Sequence, residues 1–205
     1  MSVPVLIASM MRPDGETGVQ THVRAVRDAL ARQGHRVVLV TPFDQPGWLV
    51  YPLFGMRRVV DKLSRPASVW WYRHWHAVLL ERALRARLKR GDACVVYAQC
   101  PLSARAALRA RVSGAQRVTM VVHFNLSQAD EWADKGMIAH GGTYFRAIRS
   151  LEETVLPRLD ALVYVSDFMR RALLQRMPAL AGVSGEVIPN FLAAPGVSTG
   201  RIPEF

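Results

Sequence analysis

Two glycines three positions apart, Gly15 and Gly18, stand between a short apolar run and a helix-forming segment. Glycine lets the backbone come close to a ligand, and the N–H groups at a helix start favour an anion, so this pattern can hold a phosphate. The same glycines can equally be no more than a tight strand-to-helix turn. His123 closes the apolar run "VTMVV". A side chain at a strand's carboxyl end sits at the crevice where open α/β sheets bind ligands. There His123 can offer a polar contact, or it can be tied to backbone within a loop. Tyr97, Gln99 and Asn125 follow apolar runs of the same kind and are candidates to line a pocket.

Other polar residues carry less. His35 stands at the amino end of a strand and reads as structural, while His22 falls among the apolar positions of a helix and reads as packing near the glycine loop. His74 and His76 are not spaced four apart and have no carboxylate motif beside them, so no metal site is expected. Glu152 and Glu153 are adjacent and face different ways on a helix, which is not the carboxylate pair of glycoside hydrolysis. Ser166 reads as a helix cap.

The elements that must position these residues alternate. Residues 3–8 form a strand, and Val19, Val23, Val26 and Leu30 recur at helical spacing after it. Gly34 ends that helix, residues 36–41 form a second strand, and Pro42, Pro46 and Gly47 break it. Strands follow at 93–98, 117–123, 161–165 and 185–188, with helices at 102–111, 143–156 and 167–176. Such alternation predicts a doubly wound, mostly parallel α/β sheet. Residues 48–90 interrupt it as one or two helices, of which the second carries Ala77, Leu80, Leu84 and Leu88 at helical spacing.

That insertion is basic and aromatic. Ten Lys and Arg residues, among them Arg57 and Arg58, face only Asp61 and Glu81, a local excess of +8 within a chain of net charge +11. Trp70, Trp71 and Trp75 lie in the same stretch. Tryptophan and cationic residues together suit an anionic membrane interface, whereas a solvated or packed helical face is the plainer reading. Half the residues are hydrophobic, which excludes a disordered chain, and no apolar run reaches the roughly 18 to 20 residues of a membrane span. The first apolar run has no Lys or Arg ahead of it and reads as a strand rather than a signal peptide. Cys94 and Cys100 alone make neither a disulfide framework nor a zinc site, so a reducing cytoplasm is the expected compartment.

Six stretches in one order, "DGETGVQTHV", "RQGHRVVLVTP", "VVYAQCP", "VTMVVHF", "LPRLDALVYVSDFMRRAL" and "EVIPNF", resemble the amino-terminal half of GT-B glycosyltransferases, specifically the large retaining family four. The resemblance spans nearly the whole chain apart from residues 48–90. It implies one of two Rossmann-like domains, here residues 1–192, with 193–205 as a linker toward a carboxy-terminal donor-binding domain. Asn190 then matches a turn-making "PN" signature. The resemblance further implies a nucleotide-sugar donor whose diphosphate lies at Gly15, Thr17 and Gly18. Thr17 takes the place of the first member of a glycine doublet, so its side chain can crowd the phosphate or bond to it. His123 corresponds to a cleft histidine near the transferred sugar, the one catalytic assignment, and Tyr97, Gln99 and Asn125 to the acceptor side.

The implied acceptor is a sugar or a lipid-linked one, with Arg57, Arg58, Trp70, Trp71 and Trp75 as membrane or acceptor surface. The expected setting is the cytoplasm, peripheral at the inner membrane face. No cofactor, metal or nucleic acid is expected, and this chain alone is expected to be inactive. The alternative is a stand-alone module that binds a nucleotide or sugar without catalysis. A dehydrogenase is disfavoured, because the loop is not G-x-G-x-x-G and Thr41-Pro42, not an acid, closes the second strand.

Overall fold

The computed structural model describes residues 3–13, 15, 17–124 and 126–189. The segment expected as a linker (193–205), together with Asn125 and Asn190, lies outside them. The described chain runs β1 (Val5–Ala8), α1 (Gly18–Arg32), β2 (Val37–Val40), α2 (Gly47–Leu63), α3 (Arg65–Leu88), β3 (Cys94–Ala98) and α4 (Pro101–Ala110). It continues with β4 (Gln116–Val122), α5 (Gln128–Asp134), α6 (Thr143–Val155), β5 (Ala161–Tyr164), α7 (Asp167–Arg176) and β6 (Gly185–Val187). The six strands form one parallel sheet in the order β2-β1-β3-β4-β5-β6. This is the Rossmann-like α/β arrangement that the alternation predicts.

Alternate residues of each strand enter different layers. Val5, Ile7, Val37 and Leu39 pack with Val23 and the neighbouring apolar residues of α1. Leu6, Ala8, Val96, Ala98, Val118, Met120 and Val122 enter the larger core with α3, α4 and α7. The insertion is therefore two helices, and only α2 is an excursion. Leu80, Leu84 and Leu88 of α3 are fully buried against the sheet, and each contributes roughly 1.5–3 kcal/mol of hydrophobic burial. Thus α3 is the crossover from β2 to β3. Ser64 separates the two helices and caps α3 by accepting from the Ala67 N–H, with Pro66 in the first turn.

Sequence periodicity missed α5. Its seven residues, QADEWAD, are too few and too polar for a helical apolar repeat. Ser127 starts it, accepting from the Ala129 N–H, and Glu152 accepts from both the Ser127 hydroxyl and the Gln128 N–H. A buried carboxylate on α6 thus sets where α5 begins. Among the described residues no helix is long and apolar enough to cross a membrane.

Candidate functional site

The chain builds β1 and β2 on one side of the sheet and then places β3 on the other side of β1. At such a reversal the connections that leave the two neighbouring strands run to opposite faces of the sheet, which opens a crevice outside their carboxyl ends. Ala8 and Ala98 lie level across β1 and β3, and the Gln99 N–H donates to the Ala8 carbonyl (3.1 Å). A cleft of about 330 Å³ opens there. Ser9, Met10 and Met11 line it after β1, Gln99 and Cys100 after β3, and His123 and Phe124 after β4. Val19 brings in the first turn of α1. The opposite wall comes from Tyr72 and Arg73 of α3 and from Gln128, Glu131, Trp132 and Lys135 of α5 and its end.

Three predicted residues meet at this cleft or behind it. The His123 Nε2 lies 3.2 Å from Gln99 Oε1. An amide oxygen only accepts, so Nε2 carries the proton and Nδ1 keeps a lone pair. The His22 ring stands edge-on to His123 with centroids 4.6 Å apart, and the Tyr97 hydroxyl is 3.3 Å from His22 Nε2. Burial, then the neighbouring His22, pushes the His123 pKa down to about 4. The ring is neutral at pH 7 and can donate, accept or lie beside developing positive charge without repelling it.

Tyr97 differs from its expected position. It lies within β3 rather than after it, on the α1 side of the sheet, and meets His22 instead of lining the cleft. Its hydroxyl pKa is raised by burial. His22, read as packing, is what joins Tyr97 to His123.

The glycine loop is held from within. Thr17 caps α1: its hydroxyl accepts from the Gln20 N–H (3.4 Å) and lies 2.9 Å from Gln20 Oε1, while the Thr17 N–H donates back to Gln20 Oε1 (3.1 Å). Gln20 Nε2 also donates to the Arg12 carbonyl (2.8 Å), and Arg24 donates to the Gly15 carbonyl (2.8 Å). The Thr17 hydroxyl is thus engaged in the cap. Gly15 has φ +153°, and a Cβ there would come within 2.3 Å of the Gln20 side chain. Gly18 opens α1, and nothing within 4 Å would meet a Cβ on it.

The residues expected at a surface divide. Trp70 and Arg58 are exposed. Arg57, Trp71 and Trp75 turn inward: Arg57 stacks its guanidinium over the Tyr72 ring (4.7 Å) and donates to Ser68, and the Trp71 indole donates to the Leu53 carbonyl (2.7 Å). Trp75 keeps its Nε1 out of solvent. Two packed helices must each bury one face, and these three residues lie on it. Exposed aromatics also occur on α2, with Trp48 at 78% and Tyr51 at 68% exposure.

The remaining assignments are structural. His35 contacts the Val3 carbonyl, and Ser166 caps α7 by accepting from the Met169 N–H. His76 is buried and stacks on Phe54 with centroids 4.0 Å apart. Among the described residues, no three His, Cys, Asp or Glu side chains cluster as a metal site would require. Spacing alone did not single out Arg73, although it had a signal. Arg73 stands four residues after Val69 and seven before Leu80, within the stripe that α3 buries, and a cation in such a stripe calls for a partner.

Sheet order, the crevice at the reversal and the glycine loop ahead of α1 define a Rossmann-like α/β protein with a cleft at its switch point. The chain matches the model of the family described as Glycosyltransferase Family 4 over residues 17–193, and it belongs to that family. It is a glycosyltransferase-type domain of the GT-B amino-terminal kind. A search among curated proteins found no match.

Proposed function

We propose that this domain is the acceptor-binding half of a retaining glycosyltransferase that moves a sugar from a nucleotide-sugar donor to an acceptor held in the cleft. One observation carries the reading. The start of α1, behind a loop that needs glycine, and the neutral His123 reach the same cleft at the sheet's reversal. Unpaired N–H groups at the α1 start favour the donor diphosphate as its charge grows. The acceptor hydroxyl attacks the anomeric carbon from the face the diphosphate leaves. The bond from that carbon to the diphosphate oxygen breaks as the glycosidic bond forms, and the hydroxyl proton passes to the departing phosphate. His123 contacts a sugar hydroxyl or lies beside the oxocarbenium-like centre. No protein nucleophile takes part, so the chain contributes positioning and charge stabilisation. A second domain supplies most of the donor affinity, and no metal or cofactor is required.

Inorganic pyrophosphate, the group all such donors share, is the direct probe of the loop. In calorimetric titrations Gly15→Val weakens its binding at least tenfold, because the Cβ collides with a Gln20 side chain fixed by three hydrogen bonds. Equal binding by both proteins, or no saturable binding by the wild type, sinks the phosphate assignment.

The acceptor side also includes a membrane surface. One face of α2 exposes Trp48, Tyr51, Met56, Val59 and Leu63, with Leu63 at 83% exposure, while Val50 on the other face is buried. Arg58 and Lys62 are exposed beside that stripe. An apolar stripe flanked by cations suits the headgroup region of an anionic bilayer. The chain is expected to float with phosphatidylglycerol vesicles and not with phosphatidylcholine vesicles, and Trp48→Ser with Leu63→Ser to remove most of that binding. Failure to float with either vesicle rules out this surface.

A further inference from the structure

Arg73 is a half-buried cation that forms no ion pair with any carboxylate of the described residues. Its Nη1 donates to the neutral Gln128 Oε1 (3.2 Å), and its Nη2 is out of solvent with no hydrogen-bond partner. The acids on the facing elements are committed elsewhere, Glu152 to Arg176 and Asp130 to Arg149, both at 2.7 Å. Glu131 lines the same cleft but is exposed, and Lys135 beside it adds a second cation. Burial lowers the Arg73 pKa, the cost of desolvating that charge outweighing the opposing pull of Cys100 and Glu152. Proteins leave few such groups unsatisfied, because each costs its full desolvation.

Arg73 also borders a smaller cavity of about 200 Å³ that contains Arg105. Its hydrogen-bond partner Gln128 lines the main cleft and not that cavity, which places the Nη1 side of the guanidinium at the main cleft. A second orphan donor lines the same cleft. Gln99 Nε2 is buried and unpartnered, while Gln99 Oε1 is occupied by His123. The two unmet groups ask for different ligand atoms: an oxyanion at Arg73, and a neutral oxygen such as a sugar hydroxyl at Gln99.

We infer that the acceptor is a sugar bearing an oxyanion, a phosphate ester or a carboxylate, that Arg73 captures from the α3 wall while Gln99 takes a sugar oxygen. This rests on the transferase reading for the word acceptor, and on the cleft alone for the chemistry. The donor diphosphate belongs to the opposite wall, at the α1 start, so the two anions have separate seats. Arg73 is a specificity determinant here, and the chemistry of transfer does not pass through it.

Calorimetry with glucose, glucose 6-phosphate and glucuronate at constant ionic strength tests this on the chain itself. At least one of the two anionic sugars binds tenfold or more tighter than glucose. Arg73→Gln abolishes that preference, Arg73→Lys keeps part of it, and Arg105→Gln leaves it intact. Circular dichroism and thermal melts verify that each variant is folded. Should Arg73→Gln fail to fold, retention of the preference by Arg105→Gln together with its reduction by Arg73→Lys supports the inference equally well. Vesicles containing phosphatidylinositol form a further arm, and binding there that Arg73→Gln removes assigns the oxyanion to a lipid headgroup. Equal affinity for all three sugars, or a preference that Arg73→Gln retains or Arg105→Gln destroys, overturns the inference. Pyrophosphate titrated in parallel keeps the donor reading separate, since either result can fail while the other stands.

Discussion

Between pH 6.5 and pH 4 the folded state is expected to lose about 5 kcal/mol of stability through two histidines. Burial, opposed by the bond to the Tyr72 carbonyl and reinforced by Arg57, sets His76 at about 4. Burial, then His22, sets His123 at about 4 as well. An unperturbed histidine titrates near 6.5, and each unit of difference is worth roughly 1.4 kcal/mol. His76 therefore contributes about 3 kcal/mol, and His123, which keeps some solvent contact, about 2 kcal/mol. The sign follows from which state takes up the protons. Both folded-state values are depressed, so below pH 6.5 the unfolded chain is protonated first. Stability is complete above about pH 6.5 and falls as pH drops toward 4. Urea unfolding at pH 7, 6, 5 and 4.5 reads the slope, which approaches about 2.7 kcal/mol per pH unit in the middle of this window. His76→Phe keeps the ring stacked against Phe54 and reduces the slope by about half. A slope unchanged by both His76→Phe and His123→Gln removes histidine burial as its cause.

Loss of the Glu152 carboxylate comes next in size. Glu152 is fully buried, and it accepts from Arg176 Nη1, the Ser127 hydroxyl and the Gln128 N–H at 2.7–2.9 Å. One side chain thereby joins α6, α7 and the start of α5. Glu152→Ala leaves a nearly buried arginine without a counterion and two further donors unmet, at a cost of roughly 3–5 kcal/mol. In a domain of this size that lowers the melting temperature by about 10–15 °C. Glu152→Gln retains an oxygen to accept with and loses only the charge, so its deficit is smaller. The cleft responds too, because Gln128 carries Arg73. Denaturant midpoints with an unchanged m-value give the number. A Glu152→Ala deficit below about 1 kcal/mol would mean that the network does not hold these helices together.

The role of this carboxylate shows how far spacing reaches. Read along the chain, Glu152 is one of two adjacent acids on a helix, and its pattern only excludes a hydrolytic pair. Its three partners come from residues 24 or 25 positions away and become neighbours only when α5, α6 and α7 meet. The same holds for Tyr97 and His22, which are 75 residues apart in the chain and bring their polar atoms within 3.3 Å.

The sequence by itself determined the local and periodic features of this protein. Apolar runs and their breaks specify six strands, and the helix expected at 167–176 is α7. The stripe of Ala77, Leu80, Leu84 and Leu88 is buried as its spacing demands. Gly15 and His123 stand out because backbone conformation and strand ends are short-range properties, legible within a few residues. The tertiary structure alone decided which faces meet. It put Trp71 and Trp75 between helices rather than on a surface, made α3 a core crossover, and carried Arg73 to the cleft. Periodicity states that a helix has a buried face, but the partner of that face is set by packing between elements distant in the chain. Arg73 and Gln99 come from different elements, and only the closing of the sheet and its helices brings their two unmet donors into one cleft.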